Sequence, residues 1–200
     1  MFYRDERVAL FIDGTSLRTA TKALGFDLDF RLLRAEFMRR GKLLRAFYYT
    51  VMVDNAEYSP LRPLLDWLAY NGFTLVTKPV KEIIDATGRR HIRGNMDVEI
   101  AVDALAAADH VTHIVLFSGN GEFTPLVAAL QRKGIRVSVV STIQSTPPLA
   151  ADDLRRQADN FIDLDDLRSI LARSRDDDDA QVPVMRNGAG TFDASDGSLA

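Results

Sequence analysis

The sequence predicts an α/β domain, PIN-like and Rossmannoid in outline: a parallel sheet flanked by helices on both faces. Two observations carry this. Short apolar runs alternate with helix-spaced segments five or six times along the chain, the pattern of a parallel sheet with right-handed crossovers. The first run, Val8–Asp13 (VALFID), is apolar throughout and ends in Asp13-Gly14, as a strand buried on both faces does.

The elements follow in order. Residues 29–40 place Leu32, Leu33, Phe37 and Met38 at helical spacing. Leu43–Val53 is aromatic and β-branched and reads as strand. Residues 59–71 read as a helix, with Ser59 as N-cap, Pro60 at the first helical position and Asn71-Gly72 as the stop. Phe73–Thr77 is the next strand. Residues 78–94 form an exposed basic excursion, read as a hairpin around Thr87-Gly88. Residues 96–108 are a helix rich in Ala and Leu, and His113–Phe117 is a buried strand running into Ser118-Gly119-Asn120-Gly121. A helix over 124–133 stops at Gly134, a strand covers Ile135–Val140, and 150–158, 160–162 and 163–172 complete the alternation as helix, strand and helix.

The chain's 200 residues suffice for one domain with a substantial core. Hydrophobic residues make up 46% and charged residues 26%, a soluble balance. With no cysteine, disulfides and thiolate metal sites are excluded. The start of the chain lacks a basic, then long apolar, signal pattern, and no apolar run is long enough to span a bilayer. The expected location is the cytoplasm. The net charge is -3, and from Arg173 onward three Arg face six Asp, so residues 1–172 sum to zero. Any affinity for a polyanion must therefore come from a local patch. Residues 174–200, with four consecutive Asp and little apolar content, read as a disordered acidic tail after a domain of 1–173.

Ligands of doubly wound sheets bind beyond the carboxyl ends of the strands. Three stretches distant in sequence bring Asp13, Asp97, Asn120 and Glu122 to that end. Gathered carboxylates repel, and a hard divalent cation is the usual reason to gather them. Such an ion, Mg²⁺ or Mn²⁺, activates water and stabilises a phosphodiester in transition. Each residue also has a structural role open to it. Asp13 and Asp97 are ordinary caps or turn residues, Asn120 suits a cap beside two glycines, and Glu122 gains from a helix dipole. Asp103, six residues after Asp97, points to another helical face. Glu36 and Glu99 read as solvated helix residues, and Phe47, Tyr48 and Tyr49 as core. Lys78, Lys81, Arg89, Arg90 and Arg93 in the basic excursion either meet phosphates or simply solvate a hairpin. His91, His110 and His113 have no ligand spacing, and no phosphate-binding Gly-rich loop or nucleophile elbow is present. A phosphatase using the Asp-Gly-Thr at 13–15 would need a second Asp where Thr15 stands.

Together these stretches resemble the NYN domain family, in its LabA-like bacterial branch, from about Arg7 to Ala172. FIDGTSL (11–17) resembles the family's first-strand motif, and RGNMDVEIAVDAL (93–105) its Gly, Asp and helix with a second Asp. VLFSGNGEFTPLV (115–127) resembles its Ser-Gly-Asp-x-Asp-Phe-x-Pro-Leu, and GIRVSVVS (134–141) its next strand. The resemblance implies a PIN-like fold and a metal-dependent ribonuclease ancestry, with RNA as partner. It implies catalytic roles for Asp13, Asp97, Asn120 and Glu122, metal binding by Asp13, Asp97 and Glu122, and support from Ser16 and Asp103. Oligomeric state stays open, a homodimer included. Ser16 replaces the family's Asn, Asn120 its Asp, and Glu122 its next Asp. The altered set implies weaker metal affinity, and a non-catalytic RNA-binding or regulatory protein is the alternative.

Overall fold

The computed structural model describes residues 2–53, 61–80, 82–84, 90–92 and 94–173. Strands β1 (Arg7–Asp13), β2 (Lys42–Val53), β3 (Thr74–Val80), β6 (His113–Phe117), β7 (Arg136–Ser141) and β8 (Asn160–Asp163) form one parallel sheet in the order β3-β2-β1-β6-β7-β8. A separate antiparallel pair, β4 (Glu82–Ile84) and β5 (Arg90–Ile92), lies within the expected 78–94 hairpin excursion, but the excursion starts later than expected, because Lys78, Pro79 and Val80 pair with β2 as the end of β3. Helices α1 (Gly14–Leu24), α2 (Phe30–Arg40) and α3 (Arg62–Tyr70) pack with α7 (Arg168–Leu171) on one face; α4 (Asp97–Ala107), α5 (Thr124–Arg132) and α6 (Asp152–Gln157) cover the other. The α/β architecture with helices on both faces is the one expected. The strand order reverses at β1, where β2 leaves to one side and β6 to the other, so the crevice above β1 and β6 is the switch point at which such sheets bind ligands.

Two apolar cores sit on the two faces. The first gathers Leu10, Ile12, Phe30, Leu33, Phe37, Tyr48 and Leu68. The second gathers Phe11, Tyr49, Ile100, Leu116, Val127 and Val139. Successive β1 residues alternate between them, because side chains of a strand point to opposite faces. β1 is therefore apolar at every position from Val8 to Ile12 and wholly buried there.

Several details differ from expectation. Residues 14–24 form a full helix capped by Asp13, where sequence periodicity shows none. Its buried stripe is Gly14, Leu17, Ala20 and Thr21, too small and polar to register as an apolar face. Helix α3 starts at Arg62, with Leu61 at the cap and proline in its first turn; Ser59 and Pro60 lie outside the described residues. Glu36 is buried, not solvated, because Arg39 and Arg40 both close on its carboxylate, at 2.8 and 2.7 Å. Glu99 is half-buried and ion-paired to Lys78 at 2.8 Å. Tyr48 and Tyr49 are core as expected, while Phe47 is only half-buried. Residues 174–200 lie outside the described residues.

Candidate active site

Asp13 ends β1 and caps α1. Its Oδ1 accepts from the backbone N–H of Thr15 at 3.0 Å and of Ser16 at 3.2 Å, satisfying amides that a helix start leaves orphaned. Its Oδ2 accepts from the hydroxyls of Ser16 at 2.5 Å and Ser118 at 3.3 Å. Both oxygens are thus held by donors from β1–α1 and from the end of β6. The backbone here is packed too closely for side chains. A Cβ on Gly14 would lie 2.6 Å from the Tyr48 hydroxyl and 2.8 Å from the Tyr49 carbonyl, and one on Gly119 would lie 2.0 Å from the Leu149 carbonyl. These glycines let α1 and the β6 loop approach the sheet end that the acids occupy.

Asp97 opens α4 and faces this end. Its Oδ2 accepts from Asn95 Nδ2 at 2.7 Å and from Asn120 Nδ2 at 3.1 Å, whereas its Oδ1 accepts no hydrogen bond among the described residues. Burial pushes the Asp97 carboxyl up to about 6; the charges of Asp13, Glu122 and Glu99 add to this, and the Asn120 hydrogen bond opposes it. Asn120 caps the short turn Gly121–Phe123 by accepting from the Glu122 N–H at 3.1 Å, and its own N–H donates to Ser118 at 3.2 Å. One side chain therefore serves both the structural role and the site. Glu122 is exposed and lines, with Asp153, Arg156 and Gln157 of α6, a cleft of about 620 Å³.

The structure brings Asp13, Ser16, Asp97 and Asn120 together, with Glu122 near enough for its charge to bear on Asp97. Asp103 points elsewhere on α4 and accepts from the Tyr49 hydroxyl at 3.0 Å, fixing the helix to β2. Lys78 is held by Glu99. Lys81, Arg89 and Arg93 lie outside the described residues, as does the side chain of Arg90. Sequence reasoning missed Ser118 and Asn95, although both stand inside the motif stretches. It also missed Arg18, whose guanidinium lies beside the fully buried Tyr48 hydroxyl. Burial pushes that phenol up to about 12.

Among the described residues no three carboxylates or imidazoles stand close enough to hold one ion jointly. The donor chemistry nonetheless fits a hard cation. The unengaged Asp97 Oδ1 and the mutual repulsion of Asp97, Asp13 and Glu122 suit an ion such as Mg²⁺, which keeps much of its water and takes one or two carboxylates.

A model of the NYN domain matches residues 7–165. The chain belongs to the NYN domain family. It is 34% identical over 190 residues to the low amplitude and bright protein LabA of Synechococcus elongatus, covering 92% of this chain and 98% of that one. A Vibrio parahaemolyticus protein of unknown function, solved by crystallography, shares 25% identity with a TM-score of 0.66, over 83% of this chain and 97% of that one. The NYN match spans every residue of the acid cluster, from the cap at Asp13 to Glu122.

Proposed function

We propose that this NYN domain is a metal-dependent endoribonuclease that hydrolyses RNA phosphodiesters at the crevice above β1 and β6. The supporting observation is the uncompensated repulsion there: Asp97 is pushed up to about 6 by burial and by the Asp13 and Glu122 carboxylates. Asp13 and Asp97 would hold Mg²⁺ or Mn²⁺, with Glu122 orienting water at the ion rather than binding it directly. The bound ion would supply an activated water and neutralise charge on the phosphodiester. Asp13 is oriented by four donors and cannot swing away. Ser16 and Ser118, 3.1 Å apart, fix that orientation from two elements. Asn120 holds one oxygen of Asp97, which would leave the other available to the ion.

A second reading follows from Asn120. Its amide donates to Asp97 where the family motif carries a carboxylate, so it partly satisfies the acid that a cation would otherwise satisfy. On this reading the domain is a catalytically weakened RNA-binding or regulatory protein. Cleavage of a labelled mixed-sequence RNA with Mn²⁺, Mg²⁺ or EDTA separates the two. Metal-dependent cutting that falls at least about 100-fold in Asp13→Asn, a variant that still caps α1, is expected of the nuclease. No cutting by the native chain, with cutting gained in Asn120→Asp, would establish the weakened form.

A further inference from the structure

The two faces of the sheet are not equally covered at β2 and β3. On one side α1, α2 and α3 close over these strands. On the other, among the described residues, α4 packs over β1 and Gly94 lies against Val51 and Val80 at the far end, while Phe47, Val51 and Val76 remain half-buried. Strand alternation puts Arg45, Phe47 and Val51 on this open side. Arg7 continues the line of Ala9 and Phe11 on the same side, and Arg45 is the register partner of Ala9. The Phe47 ring stacks on Phe11 at 4.9 Å between centroids, so it is held flat in place. Across the strand pair, Val51 is the register partner of Lys78.

The open face thus has a charge pattern. At its start Arg7 and Arg45 are exposed and make no ion pair among the described residues. At its far end Lys78 lies against Glu99 on α4, the helix that begins with Asp97. From Arg45 to Val51 the strand rises about 20 Å, room for several nucleotides. Cations at the entry, a fixed aromatic ring midway and a lysine paired to Glu99, on the helix that opens with Asp97, are the components of a single-strand binding surface.

We propose that the open face of β2–β3 is a track for single-stranded RNA, entering over Arg7 and Arg45, crossing Phe47 and reaching the acid cluster past Lys78. The track rests on the RNA reading of the site and adds the strand's path and direction. It supplies the local basic patch that the neutral net charge of residues 1–172 requires. Its cations lie on the sheet and do not depend on the basic hairpin. An acidic protein would find cations here too, but it would make no use of a flat, immobilised ring.

The test is anisotropy with the full chain and a labelled single-stranded RNA of about 16 nucleotides, in EDTA across a salt series. Excluding metal removes any metal-bridged contact to the acid cluster, and comparing the native chain with the track variants isolates the track from the basic hairpin. Arg7→Ala/Arg45→Ala should weaken binding about 10-fold or more and lower the salt slope by about 1.4, near 0.7 per lost phosphate contact. Phe47→Leu, a swap that retains an apolar side chain, should weaken binding several-fold with a melting temperature lowered by only a few degrees. Unchanged affinity and slope in the double variant, or no RNA binding by the native chain, would overturn the track. Displacement of RNA by polyglutamate at equal charge concentration, with the same variant sensitivity, would assign the face to an acidic protein and overturn it also. Native RNA binding lost in the double variant, beside absent metal-dependent cutting, would sustain the track and remove only the nuclease activity.

Discussion

The two ends of the parallel sheet each gather buried or half-buried charge, and they treat it in opposite ways. At the amino end Glu6 meets everything it needs. Its Oε2 accepts from the Tyr3 N–H at 3.0 Å and lies 2.9 Å from His113 Nδ1, and Arg136 closes on Oε1. His113 turns its Nε2 to Ser138 Oγ at 2.8 Å. Burial alone would raise the Glu6 carboxyl, but the Tyr3 amide, His113 and Arg136 together bring it below its ordinary range. Burial keeps the His113 imidazole below its ordinary value against the pull of Glu6. At the carboxyl end Asp97 has two amide donors and, among the described residues, no cation, and its carboxyl is raised. A compensated cluster serves the fold. An uncompensated one costs stability and is retained where a ligand completes it.

The sharpest way to break the amino end is Glu6→Ala. It leaves His113 and Arg136 without their carboxylate in a site where the Glu6 side chain is 8% exposed. Removing one partner of a buried ionic network costs about 3 kcal/mol or more, and for a chain of this size a fall in Tm of about 10 °C is expected by differential scanning calorimetry. A fall of a degree or two would show that the cluster is replaceable and would blur the distinction between the ends.

Most of the fold was legible because buried strands advertise themselves: VALFID, HIVLF and the 135–140 run have no other economical reading. Helix α1 was not, because its buried stripe contains only one large apolar residue, Leu17. The site was legible as a neighbourhood, since parallel topology delivers Asp13, Asp97, Asn120 and Glu122 to one end of the sheet. Its internal wiring was not. That Asn120 donates to Asp97 is a contact across 23 residues, and that Ser118 steadies Asp13 is one across 105. The pairing of Glu36 with Arg39 and Arg40 was legible in their i,i+3 and i,i+4 spacing, but its burial was not, and the Glu99 partner Lys78 comes from a strand remote in sequence.

The carboxyl end is best sharpened by Asp97→Asn. Removing a repelled carboxylate should raise stability by about 1 kcal/mol at pH 8, a modest figure because the group is half-buried and solvent screens it. The same variant should lose any thermal shift on adding Mn²⁺, whereas native protein should gain one in proportion to occupancy. An Asp97→Asn protein less stable than native in EDTA would mean that the carboxylate is held by its amide partners for structure, and the two ends would no longer differ in kind.

The smallest expected effect is the pH course of that difference, and its sign is fixed. The Asp97 carboxyl titrates at about 6 in the folded chain and near 3.8 when free of these neighbours. Folding therefore holds the proton more tightly than unfolding does, so ionisation of Asp97 destabilises the native state. Below about pH 4 the group is protonated in both states and contributes nothing. Between about 4 and 6 the unfolded chain has lost the proton and the folded chain has not, so native stability declines with rising pH. Above about 6 the loss is complete and level. The Tm of Asp97→Asn minus that of native protein, measured in EDTA, should sit near zero at pH 4, climb by a few degrees to pH 6 and then flatten. Because Glu6 and His113 titrate identically in both proteins, the subtraction cancels the amino end and isolates the carboxyl end. A difference that stayed constant from pH 4 to 8 would mean that the repulsion of Asp13 and Glu122 is already relieved by solvent.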